Sequence, residues 1–293
     1  MLLLWQRFIL YKFNLQLYMK IYDCFMFFDE EMLLDLRLNI MDKYIDKFVI
    51  TEATYTHSGN PKKLIFDINK FAKFKDKIIY IVVDKTPPDL LKIDNKDNLN
   101  KRQSKMTINA KKREIYQINK TQDEIVNANQ NDMIIISDLD EIPNLEKVDF
   151  RIINKKLIFF KQKMFYYKLN LFHKSLPWYG TKACKKKYFK TPEWLRSIKN
   201  KKYPVWRLDV LFSKFKYNDI YFAMDGGWHF SNIRTPEDLQ KKLLNFLHHV
   251  DYKQSGLELE DLKRLMSEKK LMYNHSIDKK GHKWGEGEKL QST

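Results

Sequence analysis

Asp138, Asp140 and Glu141 stand at the end of the apolar run Met133-Ile-Ile-Ile, and Pro143 closes the segment. Crowded carboxylates repel one another and lose hydration unless a cation sits among them. Hard oxygen donors of this kind suit Mn2+ or Mg2+. Residues two apart in an extended chain project to the same side, so of Asp138 and Asp140 one can ligate a cation directly and the other act directly or through water. A cation there would bridge the phosphates of a nucleoside diphosphate and neutralise charge on the leaving group. Glu141 either orients a ligand or simply ends the strand. The plainer reading of the segment alone is a solvated acidic turn.

A second group of chemically able residues is Asp225-Gly-Gly-Trp-His-Phe-Ser231. Its two glycines allow a sharp turn or close approach to a ligand. Trp228 offers an apolar face for a sugar ring, and His229 can donate a hydrogen bond or ligate a metal. Asp225 has the chemistry to take a proton from an acceptor hydroxyl. The alternative is a tight turn with a packed Trp and a satisfied core His. Glu30 and Glu52 follow strand-like runs on the same sheet edge as Asp138. Arg37 and Arg113 stand out because arginine is scarce here and makes bidentate anion contacts that lysine does not. A Glu30–Arg37 salt bridge is the structural alternative. His57, His173, His248, His249, His275 and His282 show no nucleophile or zinc spacing.

The elements that must position these groups follow from periodicity. Residues 21–28, 47–51, 78–83 and the run at 133 read as buried strands, and 32–44 and 108–129 as helices. Residues 89–104 read as a polar loop. This alternation predicts βαβ units and a mostly parallel sheet. After Asp140 the pattern changes. Residues 156–172 predict antiparallel strands, 182–190 a basic loop, and 206–215 and 219–222 short strands. Thr235-Pro-Glu-Asp238 opens a run of helices to about Met272, and a polar tail, 273–293, follows. The fold class is therefore α/β. A mostly parallel half over 19–143, suited to a nucleotide, precedes a mixed half over 144–272 suited to an acceptor. Neither G-x-G-x-x-G nor G-x-x-x-x-G-K-[ST] occurs, so phosphates must be held through a metal and basic side chains.

A chain of 293 residues can bury a sizeable core. The formal charge of +17 is carried mostly by lysine, which tracks a general Lys, Asn and Ile bias with some positive charge near an anionic ligand. Cys24 and Cys184 without Cys/His clustering argue against structural zinc and a disulfide scaffold. Residues 1–18 are apolar but too interrupted for a membrane span and lack a cleavage site. They suit peripheral contact with a membrane or with the domain, and Met19 is an alternative start.

Three segments in order resemble glycosyltransferase family 17, the family of the β-1,4-mannosyl-glycoprotein 4-β-N-acetylglucosaminyltransferase and its microbial and viral relatives. They are residues 21–66 with Thr51-Glu-Ala-Thr-Tyr-Thr-His-Ser-Gly-Asn-Pro61, then Ile136-Ser-Asp-Leu-Asp-Glu-Ile-Pro143, then Gly227-Trp-His-Phe-Ser231 followed by Thr235-Pro-Glu. The resemblance implies a GT-A-like domain over 19–272. It also implies an inverting, metal-dependent transfer of a sugar, typically N-acetylglucosamine from UDP-GlcNAc, to a glycan, glycoprotein or glycolipid. It places Asp138 and Asp140 at the metal and diphosphate, with Glu141 beside them. Glu30, Arg37, Glu52 and Arg113 fall on the donor side, and Trp228 and His229 match the later motif. Asp225 as base rests on chemistry alone. Met32, Asn109 and Lys112 depart from the family pattern. With no clear anchor, a microbial or viral cytoplasmic enzyme is the expectation. A magnesium-dependent nucleic-acid enzyme and an inactive carbohydrate-binding protein are the competing readings, although nucleic acid is not the expected partner.

Overall fold

Strands whose two faces are both covered read as unbroken apolar runs, and the four such runs in the first half all become strands of one sheet. The computed structural model describes residues 19–274, 284 and 287–293; residues 1–18, His275, His282 and most of the tail lie outside the described residues. In chain order come β1 (Ile21–Met26), α1 (Glu31–Met41), β2 (Lys47–Ala53), β3 (Ile78–Val83), α2 (Leu99–Asn119), α3 (Gln122–Ile125), β4 (Met133–Ile136) and β5 (Glu141–Pro143). The second half holds β6 (Leu157–Phe160), β7 (Gln162–Tyr166), β8 (Leu171–Trp178), β9 (Lys182–Lys185), α4 (Pro192–Ser197), α5 (Leu208–Leu211), β10 (Ile220–Ala223) and β11 (Gly227–Ser231). It ends with α6 (Pro236–Asn245), α7 (His249–Ser255), α8 (Leu259–Ser267) and β12 (Gln291–Ser292).

A seven-stranded sheet has the order β10-β6-β9-β4-β1-β2-β3. β4, β1, β2 and β3 are parallel, whereas β9 runs antiparallel to both β4 and β6. A five-stranded sheet has the order β12-β8-β7-β11-β5. The chain is thus a mixed α/β domain with two mixed sheets. Alternate residues of the large sheet feed separate cores: Phe25 and Ile135 on one face, Cys24 and Ile134 on the other. Both cysteines are free and buried. No described helix is long and apolar enough to cross a membrane.

Four local expectations are corrected. Helix α2 begins at Leu99, inside the stretch read as loop, because the Asn98 side chain caps it at the Lys101 amide. The basic loop at 182–190 contains β9, whose Ala183 and Cys184 are fully buried in mid-sheet. Residues 206–215 are not a strand but an exposed turn of helix, α5. The Gly-Trp-His segment is β11, an interior strand rather than a tight turn. The helix start at Thr235 stands as expected, with Thr235 Oγ1 accepting from the Asp238 amide and Pro236 in the first turn.

Candidate active site

β4 belongs to the large sheet and β5 to the small one, so Ser137–Asp140 is the passage between them. A turn of this kind leaves carbonyls without ladder partners, and buried carbonyls must find donors. Arg37 of α1 supplies them. It is fully buried, and its Nη1 donates to the carbonyls of Asp138 (3.1 Å), Leu139 (3.1 Å) and Glu141 (2.8 Å). Its Nη2 donates to Ser137 Oγ at 2.6 Å, and Nε and Nη2 grip the Asp23 carboxylate of β1. The acidic turn is therefore clamped from beneath, with the Asp138 and Asp140 carboxylates left to line a cavity.

Each carboxylate has a different setting. Asp138, partly exposed, is gripped by Arg196 of α4 at 2.9 and 3.1 Å, and the same guanidinium reaches Glu114 of α2 at 3.2 Å. Burial raises Asp138 against the opposing pull of Arg196, and the Asp140 charge raises it further. Asp140 faces His229 Nε2 at 3.6 Å. Burial alone would raise Asp140, but His229 and Lys242 outweigh it and hold the group down at about 2. His229 itself is raised: burial opposes its charge, and Asp140 more than compensates. Its Nδ1 is buried with no hydrogen-bond partner among the described residues. Glu141 is buried, accepts from Trp178 Nε1 at 2.5 Å and from the Asp138 amide at 2.9 Å. Burial, then the Asp138 charge, push it well above the usual carboxylate range. Among the described residues no three His, Cys, Asp or Glu side chains converge into a metal cage.

Two cavities meet at this turn. The first, about 710 Å³, lies at the C-terminal ends of β1, β2 and β4, where open α/β sheets bind ligands. Phe28, Tyr55 and Phe246 give it apolar walls, and Glu30, His57, Lys62, Gln117, Asp138, Asp140, Lys242 and Asn245 its polar groups. The second, about 760 Å³, is lined by Asp138, Glu141, Trp178, Tyr179, Gly180, Lys182, Arg196 and Asn200 among others. Asp138 borders both. A Cβ at Gly180 would fall 1.7 Å from Glu141 Oε1, so a larger residue there would displace that carboxylate.

The family model of glycosyltransferase family 17 matches residues 10–267, which include both sheets up to β11 and every wall of both cavities. The chain belongs to glycosyltransferase family 17. No curated protein matches the sequence. Membership favours sugar transfer over the phosphodiester chemistry also compatible with paired carboxylates.

In this glycosyltransferase, several residues singled out in the sequence lie elsewhere than expected. Arg37 has every donor engaged inside the protein, so it positions the acidic turn and cannot contact a donor; its carboxylate partner is Asp23, not Glu30. Glu52 is fully buried and accepts from Lys62, the amides of Ile65 and Phe66, and Tyr80, which anchors the loop after β2. Arg113 lines neither cavity. Its Nη1 donates to the His57 carbonyl at 3.1 Å, and its guanidinium occupies the space beside Gly59. Asp225 is exposed in the turn between β10 and β11, 3.9 Å from Lys163, and lines neither cavity. It is not at the site. Trp228 pairs with Ile142 and packs on the core, because alternation along β11 turns it away from His229. Glu30 does line the first cavity, tied to Arg234 at 2.7 Å.

Trp178, Arg196, His57 and Lys242 were missed. Arg196 and Arg234 carry the same signal that drew attention to Arg37, a rare arginine in a lysine-rich chain. Trp178 packs against His229 with ring centroids 4.7 Å apart and planes tilted by 31°, and nothing local in its sequence marks it.

Proposed function

We propose that the chain is an inverting, divalent-metal-dependent transferase of GT-A-like architecture, moving N-acetylglucosamine from UDP-GlcNAc to a hydroxyl of a glycan, glycoprotein or glycolipid. The observation that carries this reading is Asp138 on the shared border of two cavities, with Asp140 in the first and Glu141 in the second. The first cavity is the donor site. Phe28, Tyr55 and Phe246 offer flat apolar surface to a base and ribose, and Lys62 and Lys242 offer cations to the diphosphate. The donor set fits Mn2+ or Mg2+. Such ions take one or two carboxylates and complete their shell with water and phosphate oxygens, so a three-residue cage is not needed. Asp138 and Asp140 would hold the ion, and when bound it would neutralise charge on the departing diphosphate.

The second cavity is the acceptor site, with Trp178 beside Glu141. In a single displacement the acceptor oxygen bonds to the anomeric carbon as the carbon–phosphate-oxygen bond breaks, its electron pair leaving with UDP. The hydroxyl proton passes to Glu141, whose raised proton affinity suits a base working near neutral pH. Glu141 thus takes the role first considered for Asp225. Thermal shift of the chain with UDP-GlcNAc and other nucleotide sugars, with and without Mn2+, tests this. UDP-GlcNAc with Mn2+ should stabilise the wild type by roughly 2–3 kcal/mol at a hundredfold excess over its dissociation constant, and Asp140→Ala should lose the metal-dependent part. If no nucleotide sugar shifts the melt, the donor reading is wrong; an equal shift in Asp140→Ala removes the metal assignment alone.

A further inference from the structure

Residues 199–217 form a lobe whose base is pinned and whose tip is bare. The Lys199 amide donates to the Phe215 carbonyl at 2.9 Å, the Tyr203 amide to the Tyr217 carbonyl at 3.0 Å, and Trp194 Nε1 to the Lys214 carbonyl at 3.0 Å. Between these ties the tip carries large apolar side chains in water: Val205, Trp206, Leu208, Leu211 and Phe212, with Trp206 79% and Phe212 87% exposed. Leu208, Leu211 and Phe212, three and four residues apart, share one face of α5. Isolated exposed apolar residues are ordinary, but a contiguous group of this size marks a binding surface.

Its surroundings identify the occupant. Residues 199–216 contain six basic side chains, Lys199, Lys201, Lys202, Arg207, Lys214 and Lys216, against one acid, Asp209. That acid is already paired with Arg207 at 2.9 Å and Lys216 at 2.6 Å. Trp, Phe and Leu on a short tip rimmed by lysine are the composition of a segment that lies in a lipid interface: the apolar group enters the acyl boundary and the cations meet anionic headgroups. We propose that this lobe docks the protein on a membrane bearing anionic lipid. Asn200, at the root of the lobe, lines the second cavity, so docking holds that cavity beside the headgroups. The proposal does not rest on sugar transfer, since docking is measured without nucleotide.

Sedimentation of the full chain with sucrose-loaded phosphatidylcholine vesicles, with and without phosphatidylglycerol, tests it. The wild type should sediment with the anionic vesicles and not with the neutral ones, and added salt should release it. The combined variant Trp206→Ser, Leu208→Ser, Leu211→Ser, Phe212→Ser should partition on the order of tenfold less or weaker, with an unchanged melting temperature because all four side chains are exposed. Lys199→Gln, Lys201→Gln, Lys202→Gln should lose binding to anionic vesicles in the same direction. Wild-type partitioning in the serine variant would overturn the proposal, as would equal binding to neutral vesicles or no binding at all. So would a wild-type dimer, seen by light scattering, that the serine variant converts to monomer without any vesicle binding.

Discussion

Arg37 shows how a residue can be central to a site without touching a ligand. Its guanidinium joins Asp23 of β1 to three carbonyls of the acidic turn, all inside the protein. Removing one partner of a buried pair leaves the other charge stranded, so Arg37→Met should lower stability by about 3–5 kcal/mol. Urea denaturation measures this, and a loss below 1 kcal/mol would show that Asp23 finds another donor. Glu141→Gln separates chemistry from binding. It preserves an acceptor for Trp178 Nε1 but not a proton sink, so turnover should fall about 10²- to 10⁴-fold while the thermal shift with UDP-GlcNAc stays. A matched loss of both would make Glu141 structural. At this scale the carboxylates were legible in the sequence, because residue type and spacing are local. The roles of Arg37, Glu52 and Trp228 were not, because burial decides them.

Among the elements, β9 departs furthest from its sequence. Its lysine-rich run looks like a solvated loop, yet Lys182 and Cys184 are buried between β4 and β6. Lys182 tolerates this by donating to the carbonyls of Arg196 and Ile198, each at 2.6 Å. Burial pushes it down from 10.5 to about 7, and a neutral amine still has two N–H groups for those two carbonyls. The unfolded chain keeps the proton to higher pH than the folded one. Between about 7 and 10.5 the unfolded state therefore binds more protons, and this group's contribution to stability grows as pH rises. Lys182→Met should flatten the stability–pH slope across that window, as read by urea midpoints at several pH values. An unchanged slope would mean that Lys182 stays charged in the fold. The parallel strands β1, β2 and β4 were predictable because covering on both faces leaves a signal along the run, and the edge strand β3 keeps its apolar run although Val82 is exposed.

Across the whole molecule, the C-terminal helices complete the first cavity rather than merely following it. α6 contributes Lys242 and Asn245 to the cavity, and Phe246 just beyond it adds a wall. The helix is held by Leu239 and Leu243 in a core shared with Leu262 and Leu265 of α8 and Tyr166 of β7. Leu239→Ala should cost about 2–5 kcal/mol in stability and also weaken UDP-GlcNAc binding, because the support of Lys242 is loosened. Unfolding curves and the nucleotide-induced thermal shift measure the two effects. A stability loss with full donor affinity would uncouple this core from the site.

By itself the sequence determined the strand runs of the parallel half, the acidic turn at the end of β4, the capped start of α6 and the order of motifs that belongs to family 17. Each of these is written in residues that are neighbours along the chain. Only the tertiary structure decided that Asp138 meets Arg196, 58 residues away, that Glu141 meets Trp178, 37 residues away, and that Trp228 turns inward while His229 faces Asp140. Those pairings depend on strand order and register. A single chain's periodicity carries neither, since it records which side of an element is buried but not what is buried against it.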